Sequence, residues 1–67
     1  MKCSEVLRLL QRNGWIVIGQ RGSHVKLRND QHLDKGIIIF PNHGSDELGI
    51  GLEKKILKQA GIINKRK

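Results

Sequence analysis

The chain has 67 residues, with 13 Lys and Arg against 6 Asp and Glu, so its formal net charge is +7 and its pI is near 10.2. This length allows one small domain, residues 1–67, and excludes a second hydrophobic core, while the basic surface favours a polyanion, most often nucleic acid, as the partner. Cys3 is the lone cysteine and no apolar run is long enough for a signal peptide or a membrane span, so we expect no internal disulfide, no membrane contact and a cytoplasmic location.

The first predicted element is an amphipathic helix near the start of the chain. Its apolar stripe follows the spacing i, i+3, i+4 and i+7 and consists of Cys3, Val6, Leu7 and Leu10. Ser4 or the residue before it is expected to cap the helix start, and Asn13-Gly14 is expected to end the helix. Trp15 then folds back onto Leu10, which predicts that Trp15 belongs to the core.

Three runs rich in branched residues follow, WIVIGQ, HVKLR and GIIIF, and predict antiparallel strands joined by hairpins. In the middle run Val25 and Leu27 alternate with His24, Lys26 and Arg28. Because side chains of a strand alternate between its two faces, the aliphatic pair should face the helices and the histidine should face outward with the cations.

The outer strands do not alternate cleanly. Ile16 and Ile18 compete with Trp15 and Val17 for the inner face. In GIIIF, Ile37 and Ile39 compete with Ile38 and Phe40 in the same way. Whichever set lies outward forms an apolar patch beside the cations. Such a patch fits a protein partner, although sheet twist and the chain ends could equally cover it.

A second helix is predicted near the end of the chain. Its stripe consists of Leu52, Ile56, Leu57 and Ala60. Gly61 should end it, with Ile62 contacting Leu57. The element order predicts a two-layer α+β domain, α-β-β-β-α, with a three-stranded antiparallel sheet and both helices on one face. Residues 64–67, NKRK, should form a frayed basic tail in which Lys65, Arg66 and Lys67 add only to the field.

Several chemistries find no support in these residues. His24, His32 and His43 are eight and eleven positions apart without a second cysteine, so we expect no metal site. The stretch GSDELGIG lacks the lysine and hydroxyl pair of a phosphate-binding loop, so we expect no nucleotide cofactor. Cys3 at a helix start against the core is typical of an inert structural cysteine.

RNA cleavage is compatible with the cationic strand, because the substrate supplies its own 2′-hydroxyl nucleophile. One histidine can transfer protons while cations stabilise the charge on phosphorus. Positive neighbours favour the neutral imidazole of His24, which suits a general base, whereas a bound phosphate would favour the imidazolium. The candidates for holding the phosphate are Arg21, Gly22, Ser23, Lys26 and Arg28. On residues alone, a strand histidine is more often a solvated group than a catalyst.

Two further sets of residues admit two interpretations each. His43 could orient RNA or supply a second proton, but Asn42-His43-Gly44 also reads as a turn whose imidazole caps backbone groups, which we favour. Lys54, Lys55 and Lys58 could be a solvated helix face or could contact phosphates, and the net charge of +7 favours phosphate contact.

Several motifs together are similar to those of the HicA family of prokaryotic toxins, over nearly the whole chain. They are NGW after the first helix, GSHVKLR, FPNHGSDEL and GIGLEKKILKQAGI. The resemblance implies a fold like that of double-stranded RNA-binding domains and a ribosome-independent mRNA endonuclease activity. It implies that His24, in the Gly22-Ser23-His24 triplet, is catalytic, and that a HicB-type antitoxin masks it.

The sequence thus leads to a metal-independent endoribonuclease without a cofactor, acting on mRNA through His24. The alternative is a non-catalytic RNA-binding module of the same fold, and a third reading is a module whose basic face binds an acidic protein. Salt-sensitive RNA affinity would separate the last reading from the other two.

Overall fold

The computed structural model describes residues 1–62, in which two helices bracket three strands. The elements are α1 Cys3–Arg12, β1 Trp15–Arg21, β2 His24–Asn29, a 3₁₀ turn Leu33–Lys35, β3 Ile37–Pro41 and α2 Ile50–Gln59. This order confirms the predicted α-β-β-β-α class. The expected tail, residues 64–67, lies outside the described residues. No described helix has the length and apolar character needed to cross a bilayer.

The sheet is antiparallel throughout, in the order β1-β2-β3. Its buried face carries Val25 and Leu27 from β2 and Ile38 and Phe40 from β3, all at most 1% exposed. They form one core with buried residues of both helices, so both helices cover the same face, as predicted. The other face is open to solvent, and alternation along β2 turns His24, Lys26 and Arg28 onto it.

The apolar competition in the outer strands has a different outcome in each strand. In β3, Ile38 and Phe40 point inward and Ile37 and Ile39 remain exposed. In β1, only Trp15 is buried, and the next three residues, Ile16, Val17 and Ile18, are all exposed. The register places Trp15 and Val17 on the inner face, opposite Asn29 and Leu27, although Val17 keeps 37% of its surface exposed. A β-bulge between Val17 and Gly19 then takes Ile18 out of the alternation.

The start of α1 differs from the prediction that Ser4 or its neighbour caps it. The N-cap residue is Lys2, without a side-chain cap. The backbone N–H groups of Cys3 and Ser4 instead donate to the carbonyls of Asp46 and Gly44, each at 2.9 Å. Carbonyls from a distant loop satisfy the donors that a hydroxyl would otherwise serve. The local sequence contributes the carboxylate of Glu5, which accepts from the N–H of Lys2 at 2.8 Å.

Two acidic side chains hold the amino group of Met1. Glu53 accepts a hydrogen bond from it, and Glu47 lies 3.5 Å away. The hydrogen bond that the amino group donates to Glu53 raises the pKa of the amino group. The first residue is therefore bound to both α2 and the loop that precedes it.

The end of α2 agrees with the prediction. Gly61 has φ +77°, and the N–H of Ile62 donates to the carbonyl of Leu57 at 2.9 Å. This is the glycine-ended cap expected from the sequence. The stripe is shorter than predicted, because Leu52 keeps 36% of its surface exposed while Leu48, just before the helix, is buried instead.

Candidate site on the open face of the sheet

A two-residue turn, Gly22-Ser23, presents His24 at the end of the sheet. Gly22 has φ +60°, and no non-glycine residue of the described chain has positive φ. This combination is typical of a type II′ hairpin turn, which requires glycine at its first central position. The turn pairs Arg21 of β1 directly with His24 of β2.

His24 lies between one residue of each neighbouring strand. Arg21 is its partner in β1 and Pro41 is its partner in β3. Residues directly opposite each other in an antiparallel pair share a face, so these three side chains form one row. We call the set of outward side chains on this side the open face: Ile16, Arg21, His24, Lys26, Arg28, Ile37, Ile39 and Pro41.

The bond pattern at the sheet end defines how His24 and Pro41 approach each other. The N–H of Asn42 donates to the carbonyl of Ser23 at 2.7 Å. A bond between the residue after Pro41 and the residue before His24 makes His24 and Pro41 a non-hydrogen-bonded pair, whose Cα atoms are about 4.5 Å apart. The proline ring therefore lies close beside the imidazole, on the side opposite Arg21.

Cations dominate the electrostatics around the imidazole. Lys26 is two residues along β2, so its Cα is about 7 Å from that of His24 on the same face. Arg28 is partly engaged, because its Nε donates to Asp30 at 2.8 Å. Arg21 and Lys26 join no ion pair in residues 1–62. They are the cations best placed to receive an anion next to His24.

Isoleucines of the outer strands lie beside Lys26 and Arg28. Ile16 and Ile37 stand opposite Arg28 from the two outer strands, and Ile39 stands opposite Lys26. Each of the three keeps about half of its surface exposed, at 48%, 46% and 50%. The open face is thus a central basic strip with aliphatic borders.

The remaining predicted site residues do not all converge on His24. His43 is exposed, two residues beyond Pro41, and lies toward the same end of the sheet. Its backbone carbonyl accepts a bond from Asp46 at 3.2 Å, and its imidazole makes no hydrogen bond within residues 1–62, so the favoured capping role for the ring is not observed. Lys54, Lys55 and Lys58 are exposed on α2, in the layer behind the sheet.

The sequence did not relate two neighbours of His24, Pro41 and Asn42, to that histidine. Pro41 is part of the motif FPNHGSDEL, but only the β2–β3 register shows that it lies opposite His24. The Oδ1 of Asn42 accepts a bond from the N–H of Gly44 at 3.1 Å, and the Asn-x-Gly spacing signals such a turn. In residues 1–62 no three His, Cys, Asp or Glu side chains converge as metal ligands.

Comparison with known proteins identifies the family. The family model described as "HicA toxin of bacterial toxin-antitoxin" matches residues 3–62. A curated relative, "Probable mRNA interferase HicA" from Pseudomonas fluorescens (strain Pf0-1), is 40% identical over 62 residues, covering 92% of this chain and 97% of the relative. No solved structure is significantly similar. The two matches confirm the resemblance inferred from the sequence motifs.

Proposed function

Since the chain belongs to the HicA family of toxins of bacterial toxin-antitoxin systems, we propose that it cleaves mRNA in the cytoplasm, with His24 transferring the protons and without a metal ion. The observation that carries this proposal is the position of His24. Its imidazole is exposed at the end of the sheet between Arg21 and Pro41, with Lys26 beside it.

The proposed reaction uses the adjacent 2′-hydroxyl of RNA as the nucleophile. The imidazole of His24 accepts the hydroxyl proton as the 2′-oxygen bonds to phosphorus. The imidazolium formed in this way then gives that proton to the 5′-oxygen as the bond between phosphorus and the 5′-oxygen breaks. Arg21 and Lys26 stabilise the negative charge that grows on the phosphoryl oxygens. The products are a cyclic 2′,3′-phosphate and a 5′-hydroxyl, so the step needs no water and no co-reactant.

The test compares cleavage of a defined RNA in EDTA by the wild type and His24→Ala. We expect His24→Ala to lose about 10²- to 10⁴-fold in rate, the usual contribution of a proton-transfer group. His32→Ala is the matched control, since His32 is also exposed but precedes the 3₁₀ turn outside the open face, and it should cleave at the wild-type rate. Equal cleavage by wild type and His24→Ala would contradict the role of His24. Loss of wild-type activity in EDTA would contradict metal independence.

The same basic strip also supports the second candidate, a non-catalytic RNA-binding module. That function predicts that wild type and His24→Ala bind RNA equally and that neither cleaves it. Product analysis separates the two, because only the catalytic function leaves a cyclic phosphate end.

The aliphatic borders of the open face support the proposal that a HicB-type antitoxin masks His24. Ile37 and Ile39 expose apolar surface that phosphate groups cannot use, whereas a protein partner can bury it. The partner that fits this face presents carboxylates toward Lys26 and Arg28 and apolar groups toward the isoleucines. Such a partner would lie directly over the imidazole and exclude RNA.

A further inference from the structure

The segment that leaves β3 is bonded to the turn that presents His24. We call residues 42–46 the β3 exit segment. Its first residue, Asn42, is half-buried, and its N–H donates to the carbonyl of Ser23 at 2.7 Å. Ser23 directly precedes His24, so this bond fixes the peptide group from which the His24 backbone starts.

The side chain of Asn42 holds the same segment in a turn. Its Oδ1 accepts a bond from the N–H of Gly44 at 3.1 Å, and Gly44 has φ +65°. The carbonyl of Gly44 then accepts a bond from the N–H of Ser4 at 2.9 Å, at the start of α1. Asn42 therefore connects the His24 turn on one side to a helix terminus on the other.

The hairpin between β1 and β2 holds His24 only on the side of β1. Arg21 pairs with it across the two-residue turn, while on the other side the last bond of the β2–β3 ladder is the one between Asn42 and Ser23. The ends of sheets fray most easily, because the last bonds lack neighbours beyond them. A side chain that orders the residue making this last bond limits the positions that the imidazole can take.

We propose that Asn42 is a positioning residue for His24, acting through the Ser23 carbonyl and the turn to Gly44; this rests on the proposed catalytic role of His24. Asn42 is not expected to touch the RNA. Catalysis is sensitive to such placement, since a shift of about 1 Å in a reacting group can cost up to about 10²-fold in rate.

The test measures kcat and KM for RNA cleavage by Asn42→Ala, Asn42→Gln and Asn42→Asp. Alanine removes the acceptor, and the longer glutamine side chain does not suit the tight turn, so both should lower kcat about tenfold with KM nearly unchanged. Aspartate keeps an acceptor oxygen at the same distance from the backbone, so it should retain kcat within about threefold. Its added negative charge should raise KM for RNA.

Asn13→Ala is the matched control. The side chain of Asn13 also makes one exposed hydrogen bond to the backbone, at 2.8 Å to the carbonyl of Leu9, but at the opposite end of the sheet. It should lose similar thermal stability to Asn42→Ala and keep the wild-type kcat. Stability is followed by thermal unfolding of all the variants.

Three outcomes would overturn the proposal while His24→Ala remains inactive: wild-type kcat in both Asn42→Ala and Asn42→Gln, a fall in kcat in Asn13→Ala equal to that of Asn42→Ala, or no recovery with aspartate. If His24→Ala itself cleaves RNA normally, the proposed function fails instead. If Asn42→Ala does not fold, Asn42→Gln, which keeps a polar side chain, decides the question.

Discussion

At the scale of single residues, Asn29 connects two parts of the chain that local sequence cannot relate. It is the one polar residue among residues 1–62 that is fully buried. Its Nδ2 donates to the carbonyl of Asn13 at 3.0 Å, and its Oδ1 accepts from the N–H of Gln31 at 2.9 Å. A buried amide with both groups bonded holds the end of α1 to the end of β2.

Replacing Asn29 should therefore destabilise the fold more than replacing an exposed asparagine. We expect Asn29→Ala to lower the free energy of unfolding by about 1–3 kcal/mol, because it leaves a carbonyl and an N–H without partners in the interior. Asn13→Ala, which removes one exposed bond, should cost about 1 kcal/mol or less. Urea unfolding of both variants measures the difference. Equal losses of unfolding free energy in the two variants would mean that water binds the carbonyl of Asn13 and the N–H of Gln31 once the side chain of Asn29 is removed.

At the scale of secondary-structure elements, the sequence predicted the features that depend only on neighbouring residues. The alternation of HVKLR predicted which side chains of β2 face outward, and Gly61 predicted the end of α2. The start of α1 could not be predicted in this way, because its capping carbonyls come from residues 44 and 46. The bulge after Val17 takes Ile18 out of the alternation, and Gly19 indicates such a bulge without fixing its place.

The open face is also the proposed binding surface for the antitoxin. We expect Ile39→Ser to weaken binding of the HicB-type antitoxin at least about fivefold, because an apolar residue packed at the centre of an interface can contribute more than about 1 kcal/mol. Ile50→Ser is the matched control, since Ile50 is 69% exposed but begins α2, in the layer behind the sheet. Calorimetric titration of each variant with the antitoxin measures the affinity. A larger loss from Ile50→Ser would move the interface to the helical layer.

At the scale of the whole molecule, the composition indicated a positive electrostatic field but not where its charges lie in the fold. The net charge of +7 predicted a polyanion partner, and strand alternation predicted that His24 faces solvent. The pairing of His24 with Pro41 depends on the register between β2 and β3, which the length and shape of the connecting loop determine. The three lysines of α2 lie in the helical layer behind the sheet, and their contact with RNA stays a prediction.

The field predicts a marked salt dependence of RNA binding. Three phosphate contacts, by Arg21, Lys26 and Arg28, give a slope of about −2 in log affinity against log salt for a single strand, so affinity should fall about 20-fold between 50 and 200 mM salt. The His24→Ala protein, which is expected not to cleave RNA, allows this to be measured by fluorescence anisotropy.

A matched pair of lysine variants tests whether the salt dependence of RNA binding arises from the open face. Adding Lys26→Ala should make the slope less steep by about 0.7, the contribution of one phosphate contact. Lys35→Ala should leave it unchanged, since Lys35 lies against Gly61 at the end of α2. A slope near zero in the parent protein would instead favour a surface that binds an acidic protein.

The exposed edge strand β1 affects the tendency of free copies of the chain to associate with one another. An edge strand with Ile16, Val17 and Ile18 exposed offers unpaired backbone groups and apolar surface to an identical edge. The surplus positive charge opposes that encounter, because like-charged molecules repel over a distance that shrinks as ions are added. Colloidal stability of the free chain should therefore be greatest in dilute buffer and should decline toward association as ionic strength rises.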